Sequence, residues 1–235
     1  LAPSTVRCNI GWGLSGLAMA AFAGSLAASG VVLVAGRRKG HIMPGTLLLV
    51  GVMVNALSGA AVLGLTYVSN VAQSHSIVVW LMGNLGTLTL SKQALGGAAL
   101  ALLAFLALLW RLGASLNLMA LGDEAAANLG ANVGRTRFEA FLLSALVTGL
   151  SVALAGPIGF VGLVVPHITR SMVGADHRFL FPAAALAGAA FLVLADAAAR
   201  SIRAGVELPV GIITAAIGAP VFIWVLRSRR GRYFE

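Results

Sequence analysis

Long stretches without a charged residue constrain the fold of this chain more than any other feature. Residues 11–36 and 42–91 contain no Asp, Glu, Lys or Arg. A helix needs about 20 apolar residues to cross the hydrocarbon core of a bilayer. Because 59% of the 235 residues are hydrophobic and only 10% are charged, a soluble fold of this size could not bury its apolar surface. The sequence therefore predicts an all-α, polytopic membrane protein.

About seven transmembrane helices are predicted, and the basic residues decide the number. Residues 138–169 are long for one crossing and short for two. With two crossings, twelve of the 16 Lys and Arg residues lie on one side and four on the other; with one crossing the division is eight and eight. Basic residues accumulate in cytoplasmic loops, so two crossings and a cytoplasmic C-terminus are favoured. The predicted spans are residues 11–36, 45–68, 93–110, 138–155, 158–172, 179–199 and 209–226.

The same topology explains the net charge of +9, so we expect no nucleic-acid partner. No linker or low-complexity segment divides the chain, and residues 1–235 are interpreted as a single transmembrane domain.

Cys8 is the only cysteine, which excludes an intrachain disulfide and a Cys-based metal site. The first residues match no signal peptide, and because an initiator Met is absent we expect a fragment.

The predicted cytoplasmic loop 111–137 contains a candidate docking element. Asp123 and Glu124 precede three alanines, a pattern that favours a short helix with acids in its first turn, and Gly130 can end that helix. Glu124, Ala125, Ala126 and Gly130 match the EAA-x-x-x-G pattern of ATP-driven importer permeases. The alternative is an ordinary solvated loop helix.

A second polar cluster follows the apolar sequence GPIGFVGLVVP, and three interpretations stay open. Metal binding would use His167, Asp176 and His177, but the HExxH spacing is absent. Nucleophilic catalysis would use Ser171, but GxSxG is absent. The third is a membrane-edge turn with a capping Asp and snorkelling Arg side chains, which can also contact another protein. The cluster consists of His167, Arg170, Asp176, His177 and Arg178.

The predicted span 179–199 carries Asp196 near its extracytoplasmic end, and the outer loop after it carries Arg200 and Arg203. Asp196 and Arg200 are spaced to pair on one helix face, and a direct role in transport is the alternative. Basic residues are otherwise concentrated on the cytoplasmic side, so two arginines in a short outer loop are unexpected. An acidic partner that binds from outside would explain them.

Polar residues within the predicted spans are few. Asn55 and Ser58 lie in one span, and Thr148 and Ser151 in another. They form no series of ionisable groups like those of proton relays, which argues against a proton-coupled transporter and an intramembrane enzyme. The sequence also lacks a GxxxxGK[ST] motif, so energy for transport would have to come from a partner.

Several ordered strings together resemble the FecCD family, the ABC importer permeases for ferric siderophores, haem and cobalamin. These strings are LLLVGVMVNAL at 47–57, WLMGNLG at 80–86, NLMALGDEAAANLG at 117–130, SVALAGPIGFVGLVVPHITRSMVGADHR at 151–178, LADAAAR at 194–200 and ELPVGIITAAIGAPVFIWVL at 207–226. The resemblance implies a ten-helix subunit of which this chain supplies helices four to ten. It also implies a homodimer, partner ATPase subunits, an extracytoplasmic substrate-binding protein, and a place in the bacterial cytoplasmic membrane.

The resemblance implies three groups of functional residues and neither an enzyme activity nor a cofactor. The residues expected to couple to the ATPase are Glu124, Ala125, Ala126, Gly130, His167, Arg170, Asp176, His177 and Arg178. Those expected to dock the binding protein are Arg200 and Arg203. Those expected to form the pathway and its gate are Asn55, Ser58, Gly83, Asn84 and Gly86. The implied mechanism is alternating access driven by ATP; the alternative is an ion- or proton-coupled secondary transporter.

Overall fold

The computed structural model describes residues 16–38, 41–42, 44–85, 92–201 and 208–229, and these residues are almost entirely helical. The helices are α1 (Gly16–Gly36), α2 (Pro44–Val68), α3 (Val71–Leu81), α4 (Lys92–Met119), α5 (Asp123–Asn128), α6 (Val133–Ala155), α7 (Val161–Val173), α8 (His177–Ser201) and α9 (Val210–Arg229). A minimal antiparallel hairpin of β1 (Arg37–Arg38) and β2 (His41–Ile42) joins α1 to α2. This hairpin is the one departure, within the described residues, from the predicted all-α class.

A helix occupies each of the seven predicted spans. By length and composition, α1, α2, α4, α6 and α8 are long and apolar enough to cross a membrane, whereas α3, α7 and the apolar part of α9 are shorter. The thirteen residues of α7 extend about 20 Å, against a hydrocarbon core of about 30 Å. The ambiguous region 138–169 therefore divides into one long helix and one short return helix.

The boundary predicted at residue 110 is wrong, because α4 continues to Met119. The prediction ended the span at Arg111, the first charge after the apolar run. A helix ends where its backbone hydrogen bonding ends, and an apolar run ends where the lipid does, so the two need not coincide. The segment predicted as a loop is thus mostly helical, formed by the end of α4, all of α5 and the start of α6.

Small residues dominate the buried interior. The buried apolar side chains in the described part of the chain are Ala18, Ala126, Ala145, Val164, Val165, Leu180, Ala195, Ala199 and Val210. Large apolar side chains point outward instead, for example Leu57, which is 73% exposed. Lipid tails are as apolar as leucine, so membrane helices associate through close packing of small residues rather than by burying large ones. The helices α4, α6, α7 and α8 pack in this way, with α1 against α6 and α9 against α7 and α8.

The end of the molecule opposite α5 is held together by backbone hydrogen bonds between three segments. The N–H of Gly211, at the start of α9, donates to the carbonyl of Met82 at 3.1 Å, and the N–H of Asn84 donates to the carbonyl of Ala155 at 2.9 Å. The residues after α3 are thereby tied both to α9 and to the end of α6. We call this arrangement the outer junction.

Gly211 makes the close approach at the outer junction possible. A Cβ at this position would collide with the backbone carbonyl of Met82, which cannot rotate away as a side chain can. Gly211→Ala should therefore lower the thermal stability of the purified protein, with a destabilisation of about 1–3 kcal/mol typical of overpacking. Gly188→Ala is the matched control, because its Cβ would meet only ordinary contacts at 3.9 Å. Equal melting temperatures for the two variants in the same detergent would contradict this account.

Candidate functional site

The short helix α5 presents a fixed, charged surface at one end of the bundle. Ala126 is fully buried, and its carbonyl accepts a hydrogen bond from the N–H of Ala131 at 2.9 Å. Gly130 has a φ of +87°, a left-handed conformation that lets the chain turn after the helix. Glu124 lies exposed in the first turn. The predicted helix is therefore present, with the Glu124 carboxylate exposed at its first turn.

A salt bridge fixes α5 to α6. The Nη2 atom of Arg137 lies 2.8 Å and 2.9 Å from the two carboxylate oxygens of Asp123. The Arg137 side chain is only 19% exposed, against 55% for Asp123, so one partner is held in the protein while the other faces solvent. Asn132 caps the start of α6 by accepting from the N–H of Arg135 at 3.1 Å. The Asp123–Arg137 salt bridge couples the orientation of α5 to that of α6.

The turn between α7 and α8, residues 174–178, is fastened to α4. Asp176 caps α8 through the N–H of Arg178, at 2.9 Å, and accepts from the side-chain amide of Asn117 at 2.7 Å. The oxygen of the same amide accepts from the backbone N–H of His177 at 2.9 Å. Trp110 adds a hydrogen bond from its Nε1 to the carbonyl of Arg178, at 2.9 Å. Asp176, His177 and Arg178 therefore lie beside the end of α4, from which the chain leads to α5.

Two of these hydrogen bonds favour the ionised form of the Asp176 carboxyl group. The Asn117 amide and then the Arg178 N–H lower the pKa of Asp176, because both stabilise its carboxylate form. A carboxyl whose pKa is lower in the folded state stabilises the fold above its usual pKa, and that contribution is lost as the pH falls through the folded value. Asp176 is therefore ionised at neutral pH.

The other members of the predicted polar cluster lie elsewhere on α7. The ring of His167 packs edge-on against Phe222 of α9, with centroids 6.0 Å apart, and Arg170 is exposed in the last turn. The hydroxyl of Ser171 donates to the carbonyl of Ile168 at 2.6 Å, so its own helix engages it. Within the described residues, no three His, Cys, Asp or Glu side chains are placed to hold a metal.

At the end of the bundle opposite α5, Asp196 and Arg200 form the predicted pair. The Nε and Nη2 atoms of Arg200 lie 2.8 Å and 3.3 Å from the carboxylate oxygens of Asp196. The pair lies at the end of α8, with the arginine 47% and the aspartate 23% exposed. Arg203 lies outside the described residues.

The residues predicted to form the pathway divide into two places. Asn55 and Ser58 lie exposed on α2, whereas Gly83 and Asn84 lie at the outer junction. Asn84 lines a cavity of about 450 Å³ between α1, α3 and the end of α6. His75 and Trp80 of α3 also line it, and sequence reasoning did not select them because that segment gave no clear helical signal. Gly86 lies outside the described residues.

Sequence reasoning also missed Asn117 and Trp110. Their partners lie 59 to 68 residues further along the chain, a separation at which spacing carries no signal. Trp110 could have been noticed as an indole N–H at the end of an apolar run, since such groups commonly find a partner. Asn117, an ordinary polar residue in a helix, offered no signal.

Apolar spans and small-residue packing define a multi-pass helical membrane protein. The chain belongs to the FecCD transport family, whose sequence profile matches residues 6–228.

Relatives and a solved structure agree with this membership. The chain is 45% identical over 213 residues to the hemin transport system permease protein HmuU of Yersinia pestis, covering 90% of this chain and 63% of that protein. It is 40% identical over 208 residues to the vitamin B12 import system permease protein BtuC of Vibrio vulnificus, covering 88% and 62%. A structure assigned to a metal-chelate type ABC transporter, in an inward-facing conformation, matches with a TM-score of 0.77 and 31% identity, covering 90% of this chain and 73% of that one. The chain thus spans less than two thirds of the length of these two relatives.

The anchoring of α5 can be tested at its buried alanine. Ala126→Leu should displace α5, because the larger side chain has no space at a fully buried position, with a cost of about 1–3 kcal/mol. Hydrogen–deuterium exchange across residues 120–132 should rise in this variant. Ala127→Leu is the matched control, since Ala127 is its exposed neighbour. Equal exchange in the two variants would contradict the packing described.

Proposed function

We propose that this chain is the permease part of an ATP-binding-cassette importer. In this proposal it forms a homodimer in the bacterial cytoplasmic membrane, with cytoplasmic ATPase subunits on one side and a substrate-binding protein on the other. The C-terminus lies in the cytoplasm. The chain itself performs no catalysis and carries no cofactor. Family membership and the likeness to an ABC transporter structure support the proposal.

The proposed cargo is an iron complex, such as a ferric siderophore or haem, with cobalamin as the other class. Relatives named for hemin and for vitamin B12 match this chain at similar identity. We favour an iron complex because the relative named for hemin is the more similar of these two.

The continuity of α6 is the observation that carries the proposed mechanism. Near its first turn, Arg137 binds Asp123 of α5. At its last residue, the carbonyl of Ala155 accepts a hydrogen bond from the N–H of Asn84. Asn84 also lines the cavity between α1, α3 and the end of α6. The 23 residues between these ends form a rod about 35 Å long. A displacement of α5 by the closing ATPases would therefore reach the outer junction through one helix.

The proposed coupling surface consists of α5 and the α7–α8 turn. Glu124 is its exposed acid, and Ala125, Ala126 and Gly130 shape the helix that carries it. Asp176, His177 and Arg178 form the neighbouring turn, with Arg170 and His167 on the helix that precedes it. Asn55, Ser58, Gly83, Asn84 and Gly86 are proposed to belong to the pathway and its gate.

A secondary transporter driven by an ion or proton gradient is the alternative, and the energy source separates the two. The assembled importer in lipid vesicles should take up haem, ferrichrome or cobalamin only when ATP is supplied on the ATPase side. Dissipating the proton and sodium gradients with ionophores should leave that uptake unchanged. Uptake that persists without ATP and collapses with the gradient would establish the alternative.

In the same vesicles, Glu124→Arg should uncouple ATP hydrolysis from uptake, because it reverses the exposed charge of α5. We expect transport per ATP hydrolysed to fall about tenfold, the effect of losing one charge-assisted contact. Glu124→Gln keeps the size of the side chain and should give a smaller loss. Normal coupling in Glu124→Arg would remove α5 from the coupling surface.

Arg200 and Arg203 are proposed to dock an acidic patch of the binding protein. Arg200→Glu and Arg203→Glu should each weaken docking, measured as the Kd between the binding protein and the importer, and should make that Kd less sensitive to salt. Asp196→Asn is the control for Arg200, since it breaks the pair within α8 and leaves the arginine charge in place. An unchanged Kd in both reversals would refute this role, and an equal loss in Asp196→Asn would assign the effect to the pair itself.

A further inference from the structure

Asn117 connects the two segments of the proposed coupling surface. It lies in the last turn of α4, which ends at Met119, and α5 begins at Asp123. Backbone hydrogen bonds from Ala120, Leu121 and Gly122 to the last turn of α4 hold the intervening residues in a tight turn. The position of Asn117 therefore determines where α5 begins.

The orientation of the Asn117 amide is fixed by its partners. Its oxygen faces the backbone N–H of His177, which can only donate. Its nitrogen therefore faces the carboxylate of Asp176, at 2.7 Å. The imidazole Nδ1 of His177 lies 2.7 Å from the same amide oxygen, so it carries a proton. A flipped amide would turn its NH2 group toward the backbone N–H of His177 and its oxygen toward a carboxylate.

One amide thus contacts the capping side chain, the backbone and the ring at the start of α8. Asp176 is also the cap of that helix, through the N–H of Arg178. The start of α8 and the end of α4 are consequently joined by one hydrogen bond to a charged group, which is stronger than a neutral one, and by two contacts to the amide oxygen. Trp110, two turns earlier on α4, supports the same turn through the carbonyl of Arg178.

We propose that Asn117 is a positioning residue for energy coupling, which joins α5 and the α7–α8 turn into one rigid body at the face that meets the ATPase. This inference rests on the proposed function. Asn117 need not touch the ATPase; it ensures that a push on α5 also moves α8. When α5 is displaced, α4, α6 and α8 then move with it, and α5 does not bend away from them.

Exchanging the side chains of Asn117 and Asp176 tests the contact between them rather than either residue alone. Asn117→Asp places two carboxylates together and should lower the transport of haem, ferrichrome or cobalamin per ATP hydrolysed by about tenfold, the effect of losing a hydrogen bond to a charged group. ATP hydrolysis and assembly with the ATPase should stay near wild type. In the double variant with Asp176→Asn, the new carboxylate still accepts from the backbone N–H of His177 and no longer faces a second carboxylate. The new asparagine can donate to that carboxylate or cap α8, but not both, because Oδ1 of Asp176 takes both hydrogen bonds. The double variant should therefore recover part of the coupling that the single variant loses.

Asn132→Asp is the matched control, because it makes the same substitution at the same end of the bundle and keeps the cap of α6. It should couple like wild type. If Asn117→Asp does not fold, Trp110→Phe takes its place: it removes the hydrogen bond to the carbonyl of Arg178 and keeps an aromatic ring, and a loss of about twofold to threefold in coupling is expected.

Two results would overturn the inference while leaving the proposed function intact. One is normal coupling in Asn117→Asp, or in Trp110→Phe where the first variant fails to fold. The other is a double variant that couples no better than the single one. Absence of ATP-dependent uptake by the wild-type importer would instead refute the proposed function, and the inference with it.

Discussion

The hydrocarbon interior of the bilayer is the constraint on which the rest of this structure depends. It offers no water to backbone groups, so every segment at that depth must satisfy its own hydrogen bonds. It also removes the usual reason to bury large apolar side chains, and the buried apolar side chains are accordingly mostly Ala and Val. Helices packed through small residues come close together, and a close approach leaves little freedom for one helix to move without its neighbours.

Rigidity of this kind suits the proposed mechanism. The two segments of the proposed coupling surface are short, but each is fixed to a long helix. The Asp123–Arg137 salt bridge fixes α5 to α6, and Asn117 and Trp110 fix the α7–α8 turn to α4. At the other end, backbone hydrogen bonds join the residues after α3 to α6 and α9. The described part of the chain therefore has fixed joints at both ends and continuous helices between them.

The class of fold could be read from the sequence, because the apolar runs and the basic residues follow directly from the physics of the bilayer. The short helix α5 and the Asp196–Arg200 pair were also predictable, since both depend on residues within a few positions of each other. The end of α4 was not, because a charge at Arg111 marks the edge of the apolar run and not the end of the helix. The partners of Asn117 and Trp110 depend on how α4 packs against α8, which no local pattern records.

The shortness of α7 has a geometric consequence for the residues that precede it. Its polar end carries Arg170 and leads to Asp176, groups that favour the edge of the bilayer. Its thirteen residues rise about 20 Å from that edge, and Phe160 and the turn before it then lie about 10 Å below the opposite edge of a core about 30 Å thick. The non-helical residues before α7 therefore lie at hydrocarbon depth, where such backbone is tolerated only when protein covers it or water reaches it.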